Sequence, residues 1–330
     1  MNHTNRKKYT AYLLGLILVC SSFSRINAME VKKVDAQEKS NSTGRIIQIS
    51  YFKAIDGSSC NHKIDIEPIT STNKQEVIWI VNNIINNNSN KFKCIFNEKS
   101  GCLFVQAISP NSIIENVFIE GIKDYKQIRK KVRTVSFKGN ITSIGNYAFQ
   151  NCRNLKNIII PNSVQRIGEF AFGYCTSLKN IKIPDSVEKI ESSAFQGCTK
   201  LKSIKLPNLI EKIPAALFSG CKNLEFFSIP DKVKEIEGSA FFECSKLSFI
   251  NLPDSLEKIG ASAFTETGLK SIVIPAKVKI IKKAAFSHCK DLVDIKLPAS
   301  LEEIGESLFF GCKSLISVEF PEEVKFPTIE

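Results

Sequence analysis

The sequence predicts a repeat solenoid, in which short coils of chain stack along one axis and bury one continuous core. The first observation is a period of 23 residues that runs through the last two-thirds of the 330-residue chain. The second is that phenylalanine and proline keep fixed places within each period. The third is a column of cysteines, interrupted once at Thr267: Cys152, Cys175, Cys198, Cys221, Cys244, Cys289 and Cys312.

Each period has two halves, which are clearest in the segment 167–187, IGEFAFGYCTSLKNIKIPDSV. The half L-x-x-I-x-I alternates, which predicts a short strand with one buried face. A proline follows each strand, where its missing N–H does no harm. The half I-G-x-x-A-F-x-x-C is too short for a stable helix and predicts a helical turn or a 3₁₀ segment. Eight copies are predicted over 144–324, with one phenylalanine each: Phe149, Phe172, Phe195, Phe218, Phe241, Phe264, Phe286 and Phe309.

These columns resemble the BspA-like class of leucine-rich repeat over residues 132–324. The resemblance implies a horseshoe or arc, with short parallel strands on one face and short turns on the other. It also implies a surface or secreted protein that binds host or matrix proteins, acts in adhesion and needs no cofactor. Six positions depart from the family pattern, at the turn glycine or the alanine: Glu191, Pro214, Glu237, Lys282, Leu217 and Leu308.

Residues 1–28 have the layout of a signal peptide, with basic residues, a short apolar run and small residues before Ala28. We expect cleavage after Ala28 and therefore a secreted or cell-surface protein. Two alternatives stay open, namely an uncleaved membrane anchor and a lipoprotein with Cys20 as the lipidated residue. Val19 fits the second alternative poorly, because a small residue usually precedes the lipidated cysteine.

The segments around the repeats are predicted from composition and pattern. Residues 29–44 are polar and predict a flexible leader, and 45–110 predict a small separate α+β unit. Within that unit, the apolar residues of 77–85 fit a helical stripe. Residues 111–143 predict a degenerate N-terminal cap of the stack, since terminal repeats are often atypical. Residues 325–330 form a short C-terminal tail.

Two cysteines outside the repeat flank a predicted hairpin turn. The segments 92–96 and 102–105 alternate like strands, and Cys94 and Cys102 lie in them. A disulfide between these two cysteines is one alternative in an oxidising compartment. The other is that both thiols stay free.

The repeat cysteines predict packing and not chemistry. As one column of a repeat, they are interpreted as buried free thiols that pack like small apolar groups. The sequence contains no C-x-x-C pair of the kind that binds zinc. Disulfides between stacked coils would be strained. His288 beside Cys289 matches a nucleophile pair only in spacing, because the other six repeat cysteines lack a neighbouring histidine. We therefore expect no enzyme, no metal and no cofactor.

The formal charge is +12, and the four basic residues of 1–28 leave about +8 on the rest of the chain. This balance favours acidic partners such as anionic glycans, matrix proteins or phospholipid surfaces. A solvated basic surface without a partner explains it equally well. Nucleic acid is not expected in an exported protein without a recognition motif. A membrane contact is expected only through an N-terminal anchor.

The strand half also predicts a binding face, formed by the residues that alternate with the buried isoleucines. Phe226, Phe249 and Val273 are predicted to point outward on this face, which is informative because aromatic side chains are seldom exposed. Five lysines form a basic flank on the first coils: Lys156, Lys179, Lys182, Lys202 and Lys205. An aromatic centre with a basic flank suits a protein partner.

The sequence favours an exported, non-enzymatic protein-binding scaffold. Two other classes stay open. One is an enzyme with an unrecognised active site in 45–110, carried on the repeats as a targeting arm. The other is a structural or self-assembling component of the cell envelope, in which an exposed end of the stack provides the assembly surface.

Overall fold

The structure is a computed structural model of the chain. It describes residues 78–83, 92–97, 100–107, 112–114, 125–316, 318–322 and 324. The predicted signal peptide with Cys20, the leader 29–44 and the tail 325–330 lie outside the described residues. The described residues belong to one compact unit.

Among the described residues, seven elements lead into the repeats, and the first three of them form an antiparallel meander. They are β1 (Ile78–Asn83), β2 (Phe92–Asn97), β3 (Cys102–Ala107), β4 (Ser112–Ile114), α1 (Tyr125–Lys131), β5 (Thr134–Lys138) and β6 (Ile141–Ile144). β1 pairs with β2 and β2 with β3, both antiparallel, and β3 then pairs in parallel with β5. The strand β5 pairs in parallel with the first strand of the repeats.

This arrangement corrects two predictions. The segment 77–85, predicted as a helix, contains the strand β1, because a short apolar run fits either element and here it finds a strand partner in β2. The part of 45–110 that the structure describes is not a separate unit. Leu103 and Val105 are buried in the same core as the repeats, so β3 extends the stack.

Each coil of the repeat contributes two short strands. The first follows the leucine of the repeat: β7 (Asn157–Ile158), β9 (Asn180–Lys182), β11 (Ser203–Lys205), β13 (Phe226–Ser228), β15 (Phe249–Asn251), β17 (Ser271–Val273) and β19 (Asp294–Lys296). The second follows the proline corner: β8 (Arg166–Ile167), β10 (Lys189–Ile190), β12 (Lys212–Ile213), β14 (Glu235–Ile236), β16 (Lys258–Ile259), β18 (Ile280–Ile281) and β20 (Glu303–Ile304). The pairs between successive coils are parallel and in register, as at Phe226↔Phe249. The predicted parallel solenoid is confirmed.

The core is a stack of phenyl rings along the axis. The eight predicted phenylalanines lie above one another, with ring centroids 5.4–6.0 Å apart and nearly parallel planes. Stacked pairs of this kind add about 0.5–1.5 kcal/mol each beyond the burial of apolar area. A single coil could not bury its phenylalanine, so the stack stabilises every coil through its two neighbours.

The turn half of each coil differs from the predicted helical or 3₁₀ segment. A 3₁₀ helix directs each successive amide back to the carbonyl three residues earlier. Here the amides alternate: Phe172 donates to Ala194 of the next coil, and Gly173 donates back to Phe170. Two residues per coil have positive φ, for example Phe170 and Tyr174. Because these residues have a left-handed backbone conformation, alternate amides point toward the next coil. The coils are therefore hydrogen-bonded to one another on this side as well.

Two columns of side chains tie adjacent coils together. Six cysteine thiols donate to the phenylalanine carbonyl of the preceding coil at 3.0–3.3 Å, as Cys198 does to Phe172. Four serines after the proline corner donate to a carbonyl of the preceding coil at 2.7–2.9 Å: Ser163, Ser186, Ser255 and Ser300. Where the cysteine is replaced, Thr267 donates its hydroxyl to Phe264 of its own coil.

Candidate binding surface

The first strands of the coils form one exposed face, which we call the sheet face. In β9, β11, β13, β15, β17 and β19 the middle residue is buried and both flanking residues are exposed. The alternation arises because successive side chains of a strand point to opposite sides. The structure therefore places the predicted outward columns in solvent.

Three apolar side chains stand on the middle coils of the sheet face, and we call them the aromatic half. The exposed fractions are 63% for Phe226, 56% for Phe249 and 65% for Val273. Phe226 and Phe249 are direct register partners on β13 and β15. Large apolar side chains exposed on neighbouring strands are unusual on a soluble surface and commonly mark an interaction site.

The aromatic half rests on a rigid support. Phe227 is the middle residue of β13, and its side chain points inward. Its ring centroid lies 5.1 Å from the ring centroids of Phe218 and Phe241. Ile250 and Ile272 are buried at the equivalent positions of the next two coils. Because the strand backbone is fixed from below, Phe226 and Phe249 are held outward without a cost in backbone order at binding.

The five predicted lysines are all exposed and lie on the first coils of the same face. We call this region the basic half, and it also includes the exposed residues Asn157, Asn180 and Ser203. Lys202 lies 3.9 Å from the carboxylate of Glu225, at the boundary with the aromatic half. The sheet face therefore changes from basic and polar to apolar between β11 and β13.

The structure does not join Cys94 to Cys102. In the ladder of β2 and β3, Cys94 pairs with Val105 and Cys102 pairs with Asn97, so the two cysteines are three positions apart. The Cys102 thiol is free and lies 2.8 Å from the hydroxyl of Thr134. Of the two alternatives that the sequence leaves open, this register favours free thiols, because the turn is placed so that the two residues are not opposite each other.

The repeat cysteines are free thiols, as the column predicts. Burial raises the pKa of the Cys198 thiol to about 12 and also raises the pKa values of Cys152 and Cys244. A thiol is nucleophilic and binds metals only as the thiolate, so the six buried thiols of the column are unreactive while the protein stays folded. Its role as a hydrogen-bond donor between coils was not predicted.

His288 and Cys289 do not face each other as a nucleophile and a base would. The ring of His288 contacts Phe310 edge-to-face at 5.2 Å on the surface of the turn. The Cys289 thiol is buried and lies 3.0 Å from the carbonyl of Phe264 and 3.1 Å from the hydroxyl of Thr267. In the described ranges, histidine, cysteine and carboxylate side chains form no cluster that could hold a metal ion. Those ranges likewise contain no helix of the length and apolarity needed to cross a bilayer.

These features define a parallel β-solenoid repeat protein with one exposed, chemically divided sheet face. The family model described as "BspA type Leucine rich repeat region (6 copies)" matches residues 120–236 and 211–328. The chain therefore belongs to the BspA-type leucine-rich repeat family, as the sequence columns indicated.

Three solved structures are similar to this chain. A leucine-rich repeat protein from Bacteroides ovatus is 23% identical, with a TM-score of 0.50, over 76% of this chain and 83% of its own. A leucine rich cell surface protein from Faecalibacterium prausnitzii is 24% identical, with a TM-score of 0.42, over 74% and 83%. A T. pallidum leucine rich repeat protein is 24% identical, with a TM-score of 0.41, over 68% and 88%. The likeness to the first agrees with the fold. A search of curated proteins found no match.

Proposed function

We propose that the protein is an exported, non-enzymatic scaffold that binds another protein through the aromatic half of its sheet face. The observation that carries this proposal is the exposure of Phe226 and Phe249 side by side on a rigid support. Hot spots of protein interfaces are rich in aromatic residues that become fully desolvated on binding. Leucine-rich repeat proteins present such surfaces as interaction scaffolds, and the family membership supports this role.

Adhesion to host or matrix proteins at a cell surface is the specific form of the proposal. It rests on the signal-peptide layout of residues 1–28 and on a surface role that the resemblance implies. One of the solved neighbours is described as a cell surface protein, which is consistent with this location. Fractionation of the producing cells and N-terminal sequencing test it. We expect a mature chain that begins at Met29 and lies outside the cytoplasm, whereas an intact N-terminus in the cytoplasm would contradict export.

The binding site is tested with a double variant, Phe226→Ala with Phe249→Ala. We expect a purified matrix or surface protein that binds the wild type to bind this variant at least about tenfold more weakly, since each aromatic hot spot contributes 1–2 kcal/mol or more. The matched control is Leu209→Ala with Phe310→Ala, which removes two exposed apolar side chains away from the sheet face.

The outcomes separate binding from folding. Circular dichroism should be unchanged in both double variants and the melting temperature nearly so, because all four side chains are largely exposed and Phe310 loses only its edge contact with His288. Equal binding by the wild type and the Phe226/Phe249 variant, with both folded, would overturn the proposed site. Loss of binding in the Leu209/Phe310 control alone would move the site to another side of the stack.

A further inference from the structure

The basic half has a regular arrangement of charge. Lys156, Lys179 and Lys202 occupy one row along the axis, and Lys182 and Lys205 occupy a second row. Lys182 and Lys205 are direct register partners in the parallel pair of β9 and β11. Coils stack at about 4.8 Å, and three residues of strand separate the rows by about 10 Å. Five ammonium groups are therefore concentrated on three coils.

On other sides of the stack, several pairs of neighbouring coils compensate each other's charge. Seven further ion pairs join residues of adjacent coils at 2.5–3.2 Å: Arg166–Glu191, Lys212–Glu237, Lys222–Glu243, Glu235–Lys258, Lys279–Glu302, Lys282–Glu303 and Lys283–Glu306. In the basic half, by contrast, only Lys202 has a carboxylate within 4.0 Å among the described residues.

This difference points to a function. Like charges placed directly opposite each other destabilise a strand pair, and Lys182 and Lys205 are such a pair. In the part of the chain that the structure describes, the Lys182–Lys205 pair lacks the acid that accompanies a base at seven places on the other sides of the stack. Such departures from local consistency are expected at functional sites.

The row between the lysines is polar. Asn157, Asn180 and Ser203 are exposed there, and the same column continues into Phe226 and Phe249 on the next coils. Amide and hydroxyl groups both donate and accept hydrogen bonds, as sugar hydroxyls do. Ammonium groups make charge-assisted hydrogen bonds to sulfate and carboxylate oxygens. The three rows together match a ligand that is rich in hydroxyl groups and carries repeated negative charges.

We infer that the basic half binds a linear anionic polysaccharide, which lies along the axis of the stack. Its sulfate or carboxylate groups contact the two lysine rows, and its hydroxyl groups contact Asn157, Asn180 and Ser203. An acidic protein segment fits less well, because a protein interface needs an apolar centre. In this region only Ile159, at the end of the second row, is apolar and exposed. The site is separate from the proposed protein site in the aromatic half.

The test measures binding of a heparin dodecasaccharide to the purified protein by calorimetry at two salt concentrations. The variant Lys182→Gln with Lys205→Gln should bind at least about tenfold more weakly, since a basic residue near an anionic surface contributes roughly fivefold. Its affinity should also depend less steeply on salt. The control Lys232→Gln with Lys277→Gln removes the same charge from exposed corners after the prolines. It should stay within about twofold of the wild type.

Further outcomes of this experiment support or overturn polysaccharide binding by the basic half. The Phe226→Ala, Phe249→Ala variant should bind heparin like the wild type, so failure of this inference and failure of the proposed function are distinguishable. Binding of a carboxylated polysaccharide without sulfate would extend the inference, and binding of heparin alone would restrict it to sulfated chains. No binding by the wild type would overturn it, as would an equal loss in the control variant. Tighter binding of polyglutamate that depends on the same lysines would replace the polysaccharide with an acidic protein.

Discussion

Raising the pH above 9 should destabilise the folded protein, because its buried thiols cannot ionise in place. The pKa of Cys198 is raised by burial from an ordinary value of 9.0 to about 12. A group whose pKa is higher in the folded state stabilises the fold fully below the unfolded pKa. That contribution is lost as the pH rises through the folded pKa. The loss due to Cys198 therefore falls between pH 9 and pH 12.

The size of this loss in the free energy of unfolding follows from the one proton that each thiol releases. Between those pH values the unfolded chain has released the Cys198 proton and the folded chain has not. The free energy of unfolding then falls by about 1.4 kcal/mol per pH unit for each such thiol. Burial also raises the pKa values of Cys152, Cys175, Cys221 and Cys244. Five thiols together give a slope of about 7 kcal/mol per pH unit.

The assay isolates one thiol from all other groups that titrate at high pH. Urea unfolding of the wild type and of Cys198→Ser is followed by circular dichroism from pH 8 to 11, with a reductant present. Serine does not ionise, and its hydroxyl can replace the bond to the Phe172 carbonyl. Above pH 9.5 the variant should lose stability about 1.4 kcal/mol per pH unit less steeply than the wild type.

A control variant in the same column shows whether a serine there changes the pH dependence when no thiol is removed. Thr267→Ser exchanges one hydroxyl for another, so its slope should equal that of the wild type. If Cys198→Ser also follows the wild-type slope, the Cys198 thiol ionises equally in both states, and the reasoning from burial is refuted.

Four further predictions concern the coils themselves. Glu266 is exposed and has a φ of 58°. Glu266→Gly should therefore stabilise the protein by about 0.5–1 kcal/mol in urea unfolding, because the left-handed strain that it relieves exceeds the entropic cost of glycine. Gly220→Ala, at the same turn position with φ 74° and 3.6 Å of clearance for the added Cβ, should destabilise it by about 1 kcal/mol; the opposite signs would contradict the strain. Leu209 lies in the serine column, so Leu209→Ser should be about 1 kcal/mol more stable than Leu209→Ala through a bond to the Val187 carbonyl, and equal stability would exclude that bond. A thiol reagent at neutral pH should label the six buried repeat cysteines only after denaturation, and rapid labelling of the native protein would show that the stack opens.

The period predicted most of the fold because it is set by side-chain types that have one good place in a coil. The alternation around Phe227, Ile250 and Ile272 was enough to place Phe226 and Phe249 in solvent. Identical columns leave little choice of register, since a slip by one residue would expose the buried isoleucines. The outward columns of the sheet face were therefore predictable, although the partner that they contact is not a property of the repeat.

The parts that sequence reasoning missed depend on geometry that no residue type signals. The segment 78–83 is apolar enough for either a helix or a strand, and only its pairing with β2 decides the outcome. The left-handed turn positions hold residues such as Tyr174 and Glu243, and these residue types do not indicate a positive φ as glycine would. The bond from each thiol to a carbonyl of another coil has no local sequence signal, because the two residues are 26 apart in most coils.

The joint between one coil and the next is nearly the same wherever it occurs in the stack. Each joint combines a pair of phenyl rings, turn amides that donate to the next coil and, in most cases, a thiol bond. A stack with one coil more or one coil fewer would therefore meet matching surfaces at the new joint. Its reach would change by about 4.8 Å. Copy number alone can thus set how far apart the aromatic and basic halves of the sheet face lie, without any change in the side chains that a ligand touches.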